Sequence, residues 1–231
     1  MLGHSHVISG VTVATALTTF SPQIDSPIKA AIVIGTLGGA AVLPDIDHPG
    51  ATISRSLPPF TSLLSRIVAV FSGGHRKGTH SIFGWLIFAL LAYASSFITL
   101  SSTSFGLTET HLWHIGSGIT VGFLTAIALT ALHLDPLGVP SYIAGIAIGG
   151  LTAYQGVDPM LLAAAVLFGC ATHALVGDCL TTQGVPLLYP LNNRTFRLPI
   201  LGDTGSSREN FYVFLLGSLI FLIPFAAYFM K

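Results

Sequence analysis

The sequence predicts an all-α, polytopic integral membrane protein with about five to seven transmembrane or membrane-embedded helices. Hydrophobic residues make up 52% of its 231 positions and charged residues only 8%, whereas a soluble domain carries roughly 25% charged residues. Long apolar segments recur along the whole chain, and no internal repeat or low-complexity tract interrupts them. We therefore assign residues 1–231 to one membrane-embedded domain.

Seven apolar segments are expected to form the helices; they cover residues 7–20, 28–43, 82–100, 115–134, 142–157, 160–176 and 211–230. Segments 82–100, 115–134 and 211–230 reach the roughly 17–25 residues that a membrane span requires. The first two segments are short and could be short spans or a buried helical hairpin. Asp158-Pro159 is a turn signal, which predicts two helices rather than one between residues 142 and 176.

Glycine is abundant, with 25 residues, and recurs at helical spacing in two apolar segments. Gly35 and Gly38 lie in the second segment, and Gly145 and Gly149 in the fifth. Small residues at this spacing allow helices to pack closely in lipid. A general abundance of small residues in apolar helices explains the pattern equally well.

Charge and cysteine content exclude several classes of protein. The formal net charge is zero, so no basic surface predicts a nucleic-acid partner. Cys170 and Cys179 are the only cysteines, and two cysteines do not indicate a disulfide framework. The N-terminus lacks the positively charged region of a cleaved signal peptide, so we expect the first apolar segment to be retained.

The distribution of cations predicts the orientation in the membrane. If all seven segments span, the N-terminus, the 44–81 loop, the turn after residue 134 and the 177–210 loop share one face. Of the nine Lys and Arg residues, all but Lys29 and Lys231 fall on that face. The positive-inside rule makes it cytoplasmic.

The first polar motif, LPDIDHP at 43–49, follows the second apolar segment. Asp45, Asp47 and His48 offer carboxylate and imidazole ligands, which suit Zn²⁺, Mn²⁺ or Fe²⁺, and a bridging Asp is common in two-metal hydrolytic sites. Helix capping by Asp45 or Asp47 is an equally good explanation of the motif taken alone.

The second motif, HRKGTHS at 75–81, precedes the third apolar segment. His75 and His80 are five residues apart and would not share a helical face, so they need loop geometry to converge. Arg76 can form paired hydrogen bonds with a phosphate or carboxylate, and either Thr79 or Ser81 can cap the next helix. The alternative is a basic interfacial loop that binds anionic lipid.

The third motif pairs His173, inside an apolar segment, with Asp178 at its edge. Ionisable residues in such a place indicate function, although a structural hydrogen bond between them is the alternative. His4 or His6 can add one ligand, but the two would not share a helical face.

Two further motifs that contain histidine carry weaker signals. An interfacial cap is the favoured role of His133-x-Asp135, and His111 and His114 indicate an interfacial belt on the opposite face.

Together these motifs resemble the YdjM-type family of bacterial inner-membrane proteins, described as predicted membrane-bound metal-dependent hydrolases, some under LexA control. The resemblance extends to Gly3-His4, to the stretch from His173 to Pro190 and to FRLPI at 196–200, and so covers most of the chain. It implies metal ligands at His4, Asp45, Asp47, His48, His75, His80, His173 and Asp178. The family's distant similarity to zinc-dependent phospholipase C and P1 nuclease implies phosphoester substrates.

The predicted function is a membrane-bound metal-dependent hydrolase in the bacterial inner membrane, with its site at the cytoplasmic edge. One or two divalent ions are expected, zinc first and manganese or iron as alternatives. Arg76, Asp47 and Asp178 are the predicted catalytic residues: Arg76 steadies an anionic group, and the carboxylates hold or orient the metal that activates water. The expected partners are the lipid bilayer and a lipid-linked or phosphoester substrate, with no nucleic acid and with the oligomeric state open.

The rival functions are a membrane transporter and a non-catalytic metal-binding membrane protein. Transport predicts ionisable residues near mid-span on facing or broken helices. In this sequence they cluster at one predicted membrane edge, which favours catalysis or static metal binding.

Overall fold

The computed structural model describes residues 1–103, 110–133 and 139–230, which form a helical bundle with one small β-hairpin. Strands β1 (Leu100–Thr103) and β2 (Thr110–Trp113) pair antiparallel. The predicted all-α class is confirmed. The α-helices of the described residues are α1 (Gly3–Phe20), α2 (Pro27–Ala40), α3 (Phe60–Phe71), α4 (Ile82–Ser95), α5 (Ile115–Ala131), α6 (Val139–Gln155), α7 (Pro159–Thr172) and α8 (Ser207–Phe229).

Three helical stretches within the described residues are long and apolar enough to cross a membrane: Pro27–Asp47, Pro159–Leu180 and Ser207–Phe229. Helices α3, α4 and α5 are shorter apolar helices. Segment 28–43 was predicted to be short, but a 3-10 turn continues α2 through Asp47 and gives it the length of a span.

The prediction that segment 82–100 forms a full-length span is wrong, because α4 ends at Ser95. The hydroxyls of Ser95 and Ser96 donate to the Ala92 carbonyl at 2.7 and 3.3 Å, and such local bonds compete with a continuing helix. The chain then enters β1. Helix α5 ends at Ala131, before the predicted end of segment 115–134, and is one of the shorter apolar helices. Residue 134 and the proposed cap at Asp135 lie outside the described residues.

The predicted division between α6 and α7 is confirmed. Asp158 caps α7 by accepting a hydrogen bond from the Leu161 N–H at 2.8 Å. Pro159 occupies the first helical position, where its missing N–H costs no hydrogen bond.

Glycines let the central helices approach closely. Gly145 and Gly149 of α6 lie against Gly122 and Gly118 of α5, where an added Cβ would meet the facing backbone. Gly39 of α2 lies in the same way against the Leu124 backbone of α5. These contacts confirm the close-packing interpretation of the glycine patterns, and they hold α5 between α2 and α6.

The helices that carry the polar motifs meet at one end of the bundle, here called the motif end. Helix α1 packs on α2 and α8, while α7 packs on both α2 and α4. His6 lies in the first turns of α1, Asp45 follows α2, His80 precedes α4, and His173 follows α7. The opposite end of the bundle, which carries the β-hairpin, is the hairpin end.

Helix α3 lies inside the 44–81 loop and was absent from the predicted segments. Polar residues at Ser62, Ser65 and Arg66 interrupt its apolar run, so a search for long apolar segments passes over it. It packs against the 3-10 turns Leu43–Asp47 and Ile53–Arg55. The predicted loop is therefore a structured segment that supports the first motif.

Candidate metal centre

The first motif forms a tight turn directly after α2. Pro44 begins the 3-10 helix Leu43–Asp47, where its fixed φ angle is compatible with helical geometry. A 3-10 helix has 3.0 residues per turn, so side chains two residues apart point in different directions. Asp45 lies next to His80 and His173, whereas Asp47 contacts the loop around residues 75–79.

Asp47 organises the second motif rather than joining the groups of potential metal ligands. Its Oδ1 lies 2.7 Å from Nδ1 of His75. Its Oδ2 accepts hydrogen bonds from the Arg76 backbone N–H at 3.1 Å and from the Thr79 hydroxyl at 2.6 Å. Because both oxygens of this buried carboxylate are engaged, its observed role is to position the loop.

The second motif is a loop whose backbone needs unusual conformations. Gly73 and Gly74 have φ angles of 80° and 101°, and Arg76 has a φ of 60°, in the region that non-glycine residues rarely adopt. Ser81 caps α4 by accepting from the Gly84 N–H at 3.3 Å. That resolves the choice between the two predicted caps and leaves Thr79 to bind Asp47.

A π-helical turn brings the third motif together. Residues His173–Gly177 form one π-turn after α7, and this wider turn relates residues five apart rather than four. Nε2 of His173 consequently lies 3.4 Å from Oδ2 of Asp178. In a regular α-helix these two residues would face about 140° apart.

The three motifs and α1 converge on one cluster, which is buried except for the exposed His75 and the partly buried Asp45. Nε2 of His80 lies 3.5 Å from Oδ1 of Asp45 and 3.6 Å from Oδ2 of Asp178. Nε2 of His173 lies 3.8 Å from the same Asp45 oxygen. Three overlapping groups have ligand atoms within 4.8 Å of one another: His6, Asp45 and His173; Asp45, His75 and His80; and His80, His173 and Asp178.

Several atoms of this cluster are buried without a hydrogen-bond partner among the described residues. They are Nε2 of His80, Nε2 of His173, Oδ2 of Asp178 and both ring nitrogens of His6. Nδ1 of His173 lies 2.7 Å from the Ala41 carbonyl; because a carbonyl only accepts, Nδ1 carries the proton and Nε2 keeps a lone pair. A divalent cation fits these residues, since Nε2 of His80 and Nε2 of His173 lie 3.6 and 3.4 Å from Oδ2 of Asp178, and one ion would satisfy these three orphaned atoms.

The charge of the cluster also favours a cation. Burial lowers the pKa of His80, but the adjoining carboxylates of Asp45 and Asp47 outweigh it and raise the pKa to about 9. The Met1 amino nitrogen and Nη2 of Arg76 lie 2.5 and 3.3 Å from Oδ1 of Asp178. These two positive groups therefore contact Oδ1 of Asp178, whereas its Oδ2 lies next to His80 and His173.

Comparison with known proteins agrees with this membrane fold. A family model described as YdjM inner membrane protein matches residues 1–230. The chain belongs to the YdjM inner membrane protein family. No curated protein and no solved structure shows significant similarity to it.

In this YdjM-family chain, His6 joins the cluster and His4 lies outside the potential ligand groups. The His6 ring stacks on His173 with centroids 3.7 Å apart. Residues two apart on α1 point to different faces, so only one of the two histidines can enter the site. Small and polar neighbours at Ser9 and Gly10, three and four residues after His6, mark the buried face and are the signal that identifies it.

The remaining predicted site histidines differ in their surroundings. His75 belongs to a potential ligand group with Asp45 and His80. His48 is exposed, and its Nδ1 accepts from the Gly50 N–H at 3.1 Å; it lies outside the groups found in the described part of the chain. His133 is exposed at the C-terminal end of α5.

A cavity of about 600 Å³ lies beside the cluster. Nε and Nη1 of Arg76 are buried and have no hydrogen-bond partner within the described ranges. Arg76 therefore places a cation in the lining of this cavity, next to the cluster. It is lined by His75, Arg76, Lys77, Gln183, Gly184, Pro186, Tyr189, Asn193 and Thr195.

Proposed function

We propose that this protein is a membrane-bound, metal-dependent hydrolase that acts on phosphoesters. The observation that carries the proposal is the convergence of orphaned histidine and carboxylate atoms beside a cavity lined by a cation. Structural ion pairs do not leave five such atoms without partners, and a purely structural site needs no open cavity beside it.

Asp45, His80, His173 and Asp178 would hold the metal, with His6 and His75 completing one or two coordination sets. Zinc suits this mixture of imidazole and carboxylate ligands, and Mn²⁺ or Fe²⁺ are alternatives. Bound there, a divalent ion would lower the pKa of a coordinated water to about 7 and so supply hydroxide at neutral pH.

Asp47 and His75 form a hydrogen-bonded pair in which His75 can accept a proton. The Asp47 carboxylate holds the proton on Nδ1 of His75, so Nε2 keeps a lone pair. His75 also lines the cavity. In that position the imidazole either contributes a ligand or accepts a proton from the attacking water, and Asp47 stabilises the resulting charge.

Arg76 is the residue that selects an anionic substrate. Its Nη2 is anchored to Asp178 at 3.3 Å, and its buried Nε and Nη1, which have no partner among the described residues, would donate to a substrate oxygen that enters from the cavity. An arginine held in this way binds a phosphoryl group with two hydrogen bonds and stabilises charge that develops during hydrolysis.

The location of the cluster favours hydrolysis over transport. A transporter is expected to hold ionisable groups near mid-span between repeats or broken helices. Here Asp45 and His80 lie at helix ends, and His173 begins the π-turn in the C-terminal part of the potential span Pro159–Leu180. The cations of the 44–81 and 177–210 loops support a motif end on the cytoplasmic side of the inner membrane.

The test compares Arg76→Ala with Arg208→Ala, an exposed arginine outside the cavity. Protein purified in mild detergent and loaded with Zn²⁺ is assayed on a chromogenic phosphodiester and a short-chain phospholipid. Arg76→Ala should keep its metal and lose about 10²–10³-fold in kcat/KM, whereas Arg208→Ala should match wild type. Failure of metal-loaded wild type to hydrolyse either substrate would contradict the proposal, as would full activity of Arg76→Ala.

A further inference from the structure

Helix α3 buries polar residues and exposes apolar ones, which is the reverse of the pattern in a soluble protein. Its buried residues are Thr61 and Ser65, which are 5% and 0% exposed. Its large apolar residues face outward, with Phe60, Val70 and Phe71 exposed by 80%, 77% and 85%. In water this arrangement would bury hydroxyls and expose a continuous apolar stripe, which is unfavourable on both counts.

The exposed stripe follows the helical period. Phe60, Leu63, Leu64, Ile67 and Phe71 recur at spacings of three and four residues, which places them on one face of α3. All five are exposed. The face therefore forms one contiguous apolar surface rather than scattered apolar side chains.

The other side of α3 is fixed to the protein. The Ser62 hydroxyl donates to the Ser54 carbonyl at 3.1 Å, and the Thr61 hydroxyl accepts from the Leu57 N–H at 3.0 Å. Val68 packs against a buried apolar cluster that includes Ile46. The orientation of the helix is thus set by specific contacts, and the apolar stripe cannot turn inward.

The depth of α3 follows from its neighbour. It packs against the 3-10 turn Leu43–Asp47, which is the last part of the potential span Pro27–Asp47. A surface at the end of a span lies where the acyl chains meet the headgroups. With 12 residues, α3 covers about 18 Å and is too short to cross the roughly 30 Å hydrocarbon core.

We propose that α3 lies in the membrane interface and docks the motif end onto the phospholipid bilayer. Its apolar stripe contacts the outer part of the acyl chains. Arg66 is exposed on the helix and extends its guanidinium toward anionic headgroups, as arginine does at interfaces. Arg55 and Lys77, on either side of α3, add positive charge in the same loop.

This placement has a consequence for the metal centre. Only residues 72–74 separate α3 from His75 and Arg76, so the cavity beside Arg76 lies at headgroup depth. Phosphoesters carried by membrane lipids therefore reach Arg76 without leaving the bilayer. The placement of α3 is independent of hydrolysis, whereas the lipid substrate rests on the proposed function.

Photolabelling of the wild-type protein tests the placement. Trypsin cleaves after Arg55, Arg66 and Arg76, so peptides 56–66 and 67–76 isolate α3. The full chain is reconstituted in phosphatidylethanolamine–phosphatidylglycerol vesicles with a phospholipid carrying a diazirine either near the glycerol or at the acyl terminus. The peptide that begins at Glu209, which contains most of α8, provides the membrane-spanning reference.

The shallow diazirine should label both α3 peptides at least as strongly as the α8 peptide. The deep diazirine should label α8 and leave the α3 peptides at least about tenfold weaker, because carbene insertion is confined to atoms at the same depth. Absence of shallow labelling on α3 would overturn the proposal. Deep labelling of α3 equal to that of α8 would also overturn it, because it would place α3 in the bilayer centre.

Discussion

The two ends of the bundle carry similar ionisable residues but satisfy them differently. At the hairpin end, Lys29 pairs with Asp25 at 2.8 Å, and Asp158 accepts from a backbone N–H. Nε2 of His111 lies 3.0 Å from the Tyr154 carbonyl. At the motif end, Nε2 of His80 and Oδ2 of Asp178 are buried without a partner among the described residues.

Cavity size does not identify the site. A cavity of about 930 Å³ lies at the hairpin end around Lys29, His114 and Asp158, and it exceeds the one beside Arg76. Its charged residues already have local partners. Unpartnered atoms at the motif end require a ligand, because a buried polar group without a partner is costly.

The first prediction concerns the side of the membrane that each end faces, where the effect is all or none. Thr195→Cys at the motif end and Gln23→Cys at the hairpin end, each in a Cys170→Ala, Cys179→Ala background, should react with an impermeant maleimide from opposite sides. In inside-out inner-membrane vesicles, Thr195→Cys should label. Labelling of both positions from one side would contradict the assignment of the two ends.

The second prediction contrasts His6 with His4. His6→Ala should lower zinc affinity by at least about 10–100-fold, because the His6 ring faces Asp45 and His173. Loss of a group that only orients a metal ligand already has an effect of that size. His4→Ala, on another face of α1, should leave affinity unchanged. Competitive titration with a zinc indicator in detergent measures both. Equal effects of the two substitutions would remove His6 from the centre.

The third prediction concerns Asp47, which orients other groups. Asp47→Asn should weaken zinc binding by about 10–100-fold, because an amide cannot accept on both sides from His75, Arg76 and Thr79. Asp25→Asn is the matched control at the hairpin end, where the carboxylate is exposed and pairs with Lys29. If Asp47→Asn binds zinc as tightly as Asp25→Asn, the positioning role is wrong.

Much of this architecture could be predicted from the sequence, because apolar length and turn signals are local properties. The helix division at Asp158 and the close packing at Gly145 and Gly149 follow from such signals. Helix α3 was missed because its polar residues break the apolar run, although its stripe has a clear helical period. The early end of α4 depends on Ser95 and Ser96, whose hydroxyls bind the preceding turn.

The residue types of the site were predictable, but their separate roles were not. Asp45 and Asp47 are chemically identical, and only the 3-10 turn directs one to the cluster and the other to the 75–79 loop. The π-turn that joins His173 to Asp178 has no marker in the sequence. His6 was the less favoured of two histidines, and the buried face of α1 decides between them.

The measurement that tests the metal centre most directly compares bound zinc in wild type, His173→Ala and His111→Ala after reconstitution and removal of free metal. Wild type should hold one or two ions per chain with nitrogen and oxygen ligands at about 2.0–2.2 Å by X-ray absorption. His173→Ala should lose most of this zinc, and His111→Ala should keep it. Wild type without stoichiometric metal, or equal binding by all three proteins, would contradict a metal centre at the motif end.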